Sequence, residues 1–373
     1  MRVLHTADWQ IGLKAKHVAS AAEAVRSARL EAGRHVIQAA NRARVEAVIV
    51  AGDLFDDNLV GDALVRQVVD ILAASEAPVF VLPGNHDPLT PDSVYRRYSW
   101  RERPARVVLL DGAEPVSIPG VDAVLLASPC TKKKSFEDPT RAFCPRPPGG
   151  PMAIGVAHGS LRIEGKHSPD DFPIALDAAE RAGLDYLALG HWHGCHIQNP
   201  RLAYPGTHEA TAFGEVRSGQ ALLVEIEKRG AIPRIEEVPT GSLTWISLEA
   251  DLSRGALAAL APVRALLTGL EAPKRTLLRL RTRGQCADGA EVALRSLGEE
   301  LASRLLFATV DRADLPTEKA QGRLAEIAAS SALVAGLLED LAQPSRDGQA
   351  EITPSSAAEA RRLLDELVLE VWP

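Results

Sequence analysis

Short apolar runs that end in polar residues recur along the first two thirds of the chain. RVLHTAD, EAVIVAGD, APVFVLPGNHD, ARVVLL, DAVLLAS, MAIGVAHG, DYLALGHWH and QALLVEIE read as buried strands that each deliver a polar group at or near the carboxyl end. Between them, Ala21 to Arg44 has few breakers and apolar residues at helical spacing, and Ala63 to Ala74 and Ala175 to Ala182 read as shorter helices. Strands alternating with helical stretches predict an α/β domain over residues 1–240.

Beyond Pro239 to Ser242 the histidines stop, and Ala, Leu, Arg and Glu dominate. Strand-like TLLRLRT (Thr276 to Thr282), helical AEVALRSLGEELASRL (Ala290 to Leu305) and strand-like LFATVDR (Leu306 to Arg312) predict a small β-α-β domain over 241–342. The breaker-rich Gln343 to Gln349 then separates a last helix within 350–373, with Ala360, Leu363, Leu364, Leu367, Val368 and Val371 on one face. That stripe serves core packing or partner docking equally well. TKKK at Thr131 to Lys134 and PRPPGGP at Pro145 to Pro151 read as a long surface loop.

Length and charge narrow this picture. With 373 residues the chain exceeds the ~250–300 at which single cores stop growing, so two or three domains are expected. Lys and Arg number 42 against 49 Asp and Glu, a net charge of -7, so any contact with a polyanion must come from local patches. Cys130, Cys144, Cys195 and Cys286 form no C-x-x-C pair, which argues against a disulfide framework and a thiolate zinc knuckle. Met1 and Arg2 run directly into a strand, and no uncharged apolar run approaches ~20 residues. A soluble cytoplasmic protein without membrane contact is the expectation.

The candidate chemistry sits in HTADWQIG, AGDLFDDN, LPGNHDP, VAHGS and ALGHWHG. Each follows an apolar run, and open α/β sheets place ligands at the carboxyl ends of their strands. Together they offer Asp8, Asp53, Asn85, His86, His158, His191 and His193. Carboxylate, amide and imidazole without thiolate suit Mn²⁺ or Fe²⁺, with Zn²⁺ also compatible. Two such ions ~3.5–4 Å apart can share a carboxylate, direct a hydroxide at phosphorus and neutralise the phosphate. His86 would then serve as general acid or stabilise the transition state. Taken singly, GNHD and GDLFD also read as ordinary turns, and HWHGCH as a local zinc cluster using Cys195. His5, His17, His35 and His167 are read as core or surface residues.

The ordered set resembles the calcineurin-like metallophosphoesterase superfamily. Within it, LHTADWQIG, AGDLFD, LPGNHD, and LGHWH followed by YPGTHEATAFGE are similar to the SbcD-type nuclease subunit of DNA double-strand-break repair complexes. The motifs cover residues 1 to about 217. Asp57 and Asn58 follow Asp56, and GNHD replaces GNHE, which disfavours the phosphoprotein phosphatase branch. The resemblance implies a four-layer α/β/β/α sandwich with a small α/β capping domain. It assigns Asp8, position 10, Asp53 and His193 to a first metal, and Asp53, Asn85, His158 and His191 to a second, with His86 at the leaving group. It further implies two divalent ions, usually Mn²⁺, DNA ends or single strands as substrate, a coiled-coil ATPase partner of the SbcC kind, and a homodimer.

Gln10 departs from the pattern, because a histidine is expected there. Its amide oxygen can bind Mn²⁺ but donates more weakly than imidazole, so a Gln10 ligand and a water in its place both stay open. His208, in PGTHEA, stands where the family has a small residue.

For DNA contact the candidate is YRRYSWRERPAR, Tyr95 to Arg106, in which Arg96, Arg97, Arg101 and Arg103 interleave with aromatic rings. An amphipathic surface helix with its own ion pairs is the alternative. Arg279, Arg281 and Arg283 share a strand face that is either DNA-facing or simply solvated. The reading reached is a metal-dependent DNA phosphodiesterase, an exonuclease with endonuclease action left open, that processes ends in double-strand-break repair. A small-nucleotide phosphodiesterase or phosphatase and a catalytically weak DNA-end tether are the alternatives.

Overall fold

The computed structural model describes residues 1–143, 149–165, 168–284, 290–314 and 318–342, with positions 357, 360, 363 and 364 beyond them. The helix expected within 350–373 otherwise lies outside the described residues, as do His167, Cys144, Cys286 and part of the Pro-rich loop. The chain divides into two compact units, Met1–Leu243 and Thr244–Pro373.

The first unit contains strands β1 (Arg2–Thr6), β2 (Ala47–Ala51), β3 (Val79–Leu82), β4 (Val107–Leu109), β5 (Val116–Ser117), β6 (Ala123–Ser128), β7 (Met152–His158), β8 (Tyr186–Gly190), β9 (His196–Asn199), β10 (Leu202–Tyr204), β11 (Gln220–Glu225) and β12 (Arg234–Pro239). They form two six-stranded mixed sheets, ordered β12-β11-β1-β2-β3-β4 and β5-β6-β7-β8-β10-β9. The central strands of both are parallel. Parallel strands are covered on both faces, which explains why their sequences are continuous apolar runs.

Alternation along β1 shows the layering. Val3 points inward to the core shared by the two sheets, which includes Ile49, Phe80, Val156 and Ala188. Leu4 points outward to the core beneath α1 (Ala22–Ala43) and α2 (Asp62–Ala73). The outer face of the second sheet packs against Ala178, Ala179 and Ala182, in and just after a short helix at Ala178–Arg181. The layers run helix, sheet, sheet, helix, a mixed α/β fold of the metallophosphoesterase kind.

That last helix is shorter than the segment Ala175 to Ala182 predicts. Ile174 instead bridges Leu161, and the Ala175 amide donates to Asp138 Oδ2 at 3.1 Å, so the backbone before Asp177 is already committed.

The second unit is a three-stranded parallel sheet of β13 (Thr244–Asp251), β14 (Thr276–Arg283) and β15 (Phe307–Asp314). Helices at Ala256–Gly269 and Ala290–Arg304 share one apolar core with it. The β-α-β pattern is therefore preceded by a further strand and helix. That helix carries Pro262, which weakens its signature in the sequence. Among the described residues no helix is long and apolar enough to cross a membrane.

Candidate metal centre

The site is assembled from the loops that leave β1, β2, β3, β7 and β8. The loops after β1 and β2 are zipped together: the Asp8 amide donates to Gly52 O at 3.1 Å, Gln10 to Asp53 O at 2.8 Å, and Ile11 to Leu54 O at 3.0 Å. This geometry forces left-handed backbone on Asp8 (φ 55°), Gln10 (φ 40°) and Asp53 (φ 52°). Such conformations cost about 1–3 kcal/mol each and concentrate at functional sites. Glycines permit the approach of neighbouring loops. A Cβ on Gly52 would lie 2.1 Å from His158 Nδ1, and one on Gly84 2.1 Å from Asp53 Oδ1.

Asp8, Asp53 and His158, all buried, each bring a donor atom within 4.8 Å of the others. The tautomers of the nearby imidazoles follow from their outer partners. His158 Nδ1 lies 2.9 Å from Ala51 O, a pure acceptor, so Nδ1 carries the proton and Nε2 faces the site. His191 Nε2 lies 2.8 Å from Asp171 Oδ2, so its proton points there and Nδ1 faces inward. The hydrogen bond from His191 holds the Asp171 carboxyl at about 2, which keeps it an acceptor.

Four lone-pair atoms consequently meet. His158 Nε2 is 2.8 Å from Asn85 Oδ1 and 3.4 Å from Asp53 Oδ2, and His191 Nδ1 is 3.1 Å from Asn85 Oδ1 and 3.3 Å from His158 Nε2. Acceptors crowd together this way around a cation or a proton. Burial disfavours charge on His158, yet Asp53 and the other acceptors raise its pKa to about 10. Burial likewise opposes charge on Asp53, but His158 and His86 hold its carboxyl well below the usual range. Burial raises Asp8, with Asp53 adding repulsion. A hard divalent cation fits this mixed oxygen and imidazole set.

His193 and Gln10 are fixed by other means. His193 Nδ1 turns to Glu215 Oε1 at 2.7 Å, leaving the Nε2 lone pair for a metal. Burial works against charge on Glu215, but His193 and Thr211 hold its carboxyl below the usual range. Gln10 is buried in the zipped loop. The His191 amide, with φ 115°, donates to both Asp8 carboxylate oxygens at 3.1 and 3.0 Å. His86 is tied in by its amide, 2.9 Å from Asp53 Oδ1, while its Nδ1 bonds Asp56 O at 3.0 Å and leaves Nε2 available.

Several supporting residues escape a motif reading. Asp87 accepts from the amides of Phe55 (2.9 Å) and Gly84 (2.7 Å) and from Tyr95 OH (2.5 Å), clamping the β2 and β3 loops together. Buried Arg29 donates to the carbonyls of Glu209 (2.7 Å), Asp8 (3.2 Å) and Trp9. Removing its guanidinium would leave buried carbonyls unpaired at about 1–3 kcal/mol each. His208 stacks on Trp9, ring centroids 4.7 Å apart, with Nε2 bonded to Arg29 O. It packs against the first motif. Asp87 is hinted at only by the acidic last position of GNHD and Glu215 only as the last residue of YPGTHEATAFGE, without a role attached to either; Arg29 and Asp171 carry no local signal.

Of the three rings expected to stack in the basic segment, Tyr98 alone is exposed. Tyr95 and Trp100 are buried, and Trp100 packs edge-on against both Tyr95 and Phe55. Arg97 donates to the carbonyls of Val60 (2.5 Å) and Asn58, and Arg103 to Val107 O at 2.9 Å while covering the Trp100 ring. Only short helical turns, Val94–Arg96 and Tyr98–Arg101, form here. Arg96 and Arg101 remain exposed at the surface, Arg96 with its Nε on Thr90 O. In the second unit Arg281 faces Glu249 and Asp311 across the ladder, and Arg283 lies 3.8 Å from both Glu249 and Asp251. Arg281 and Arg283 thus lie on a charge-balanced part of the face, while Arg279 stands beside Ser247 and Thr309. Cys195 is buried between the sheets and His196 bonds Gln198, so HWHGCH does not gather into a zinc cluster.

A model of calcineurin-like phosphoesterases matches residues 1–195. The uncharacterized metallophosphoesterase YhaO of Bacillus subtilis is 28% identical over 207 residues, covering 52% of this chain and 48% of that protein. The DNA double-strand break repair protein Mre11 of Aeropyrum pernix is 27% identical over 281 residues, covering 68% and 64%. The SbcD component of the nuclease SbcCD of Staphylococcus saprophyticus is 23% identical over 263 residues, covering 61% and 66%. The chain thus matches about half to two thirds of the length of these relatives. With more than half of its residues matched, the chain belongs to the calcineurin-like phosphoesterase family, whose members are metal-dependent phosphoesterases.

Proposed function

We propose that the protein is a metal-dependent DNA phosphodiesterase that processes DNA ends. The observation that carries the reading is the convergence of Asp53, Asn85, His158 and His191 lone pairs on one point, beside Asp8. DNA as substrate is supported by the likeness to a double-strand break repair protein and a nuclease component. Asp53, Asn85, His158 and His191 would hold one divalent ion, and Asp8, Asp53, His193 and Gln10 a second, with manganese suited to the donor set. When bound, the ions would neutralise the phosphate and acidify the attacking water.

The chain's own residues supply the rest. Asp171 and Glu215 keep His191 and His193 in the tautomers that present a lone pair. His86, fixed through Nδ1 to Asp56 O, presents Nε2 to hold a proton and release it to the leaving oxygen. Exposed Arg96 and Arg101 are the residues of the basic segment best placed to meet phosphates. A coiled-coil ATPase partner and a homodimer belong to the same proposal, through the likeness to the SbcCD component and the family pattern.

The test is Mn²⁺-dependent cleavage of end-labelled single- and double-stranded DNA, alongside a small chromogenic phosphodiester. Cleavage of DNA by the wild type, and a loss of roughly 10²–10⁴-fold in His86→Ala with metal content retained, are expected. Turnover of the small ester alone would point to a nucleotide phosphodiesterase. No turnover at any metal concentration, restored by Gln10→His, would point to a DNA-end tether.

A further inference from the structure

Trp192 lies between the candidate ligands His191 and His193, and its environment differs from that of the core tryptophans. Trp9 and Trp100 are fully buried, whereas Trp192 is partly exposed and lines an open depression of about 460 Å³ together with His191, His193 and His196. Its indole is nevertheless held firmly. It stacks on Tyr204 with ring centroids 4.6 Å apart and planes at 16°, and meets His196 edge-on at 5.3 Å. Tyr204 is itself immobilised, its hydroxyl donating to Gly159 O at 2.8 Å and accepting from the Leu161 amide at 3.0 Å. The indole N–H donates to Ser160 Oγ at 3.1 Å, and Ser160 donates to the Asp171 carboxylate that orients His191.

From this geometry we infer that Trp192, flanked by His196, is a stacking subsite for the nucleobase of a nucleotide adjoining the scissile phosphodiester. An aromatic ring held in one orientation at the lip of a phosphate-binding centre gives a planar base a partner without an ordering cost. Stacking is indifferent to base identity, because every base has a π-face. The subsite thus selects substrates that carry a base, whatever its sequence, over bare phosphodiesters. The inference rests on the phosphodiesterase reading above and names which feature of the substrate, beyond its phosphate, is recognised.

The test compares an oligonucleotide bearing a normal base beside the cleaved bond with one bearing an abasic residue there. Both kcat/KM with Mn²⁺ and the equilibrium binding of a labelled oligonucleotide without added metal are measured. In Trp192→Ala the preference for the base-bearing strand should fall roughly tenfold in both readouts, the order of one base–aromatic stack. Trp192→Phe keeps a ring but not the N–H bond to Ser160, and should retain most of that preference. An unchanged preference in Trp192→Ala, or an equal loss in both variants, overturns the subsite and leaves the phosphodiesterase reading standing. A wild type that cleaves neither strand rejects the nuclease reading itself, and the subsite with it.

Discussion

The two halves of the candidate centre are built by different means. Around Asn85, His158 and His191 the side chains touch one another at 2.8–3.3 Å, and outer partners fix each imidazole. Around Asp8 and Gln10 the placement comes from the backbone: left-handed residues, a zipped pair of loops, and Arg29 gripping the Asp8 and Trp9 carbonyls. The first kind of site depends on the identity of every side chain. In the second the backbone bonds that hold position 10 do not involve its side chain, so the loop geometry itself does not call for a histidine there.

Asp53 links the halves, so its substitution should have the largest effect. Asp53→Asn is expected to lower turnover by roughly 10³-fold or more and to weaken both metals at once, read by activity and metal content together. Loss of one ion only would break the proposed sharing. The outer carboxylates should act separately. Asp171→Asn is expected to weaken the His191 half and Glu215→Gln the His193 half, each by roughly 10–100-fold in metal affinity, with little effect on the other.

A smaller, graded effect comes from pH. The folded pKa of His158, about 10, lies above the ordinary value of 6.5. Below pH 6.5 the residue is protonated in folded and unfolded chains alike. Between 6.5 and 10 the folded metal-free chain binds the extra proton, so the stability that this proton contributes is lost as pH rises through 10. Over the same window metal must displace the proton. Affinity at the His158 half should therefore rise by up to about tenfold per pH unit, with proton release seen calorimetrically in buffers of different ionisation enthalpy. A pH-independent affinity would contradict the shared lone pair.

The inner donors are legible in the sequence because each stands at the end of a buried strand or within three residues of it: Asp8 after β1, Asp53 after β2, Asn85 after β3, His158 at the end of β7 and His191 after β8. Their outer partners are not legible. Asp171 meets His191 across 20 residues, and Arg29 meets Glu209 across 180, through contacts that exist only after folding. The basic segment is ambiguous in the sequence for a related reason. Interleaved aromatic and arginine residues do not show which rings are covered, and folding buries Tyr95 and Trp100 while leaving Tyr98, Arg96 and Arg101 exposed. In the second unit Arg281 and Arg283 look free in the sequence only because their acidic neighbours lie on other strands, brought into register by the parallel ladder.

The most direct test of the unequal halves is a Mn²⁺ titration of the wild type and Gln10→His, following affinity calorimetrically and counting bound ions by electron paramagnetic resonance. The account predicts two ions per chain with unequal affinity, and a Gln10→His variant in which only the weaker ion tightens, by about tenfold. Equal affinities in the wild type, or tightening of the stronger ion instead, would contradict it.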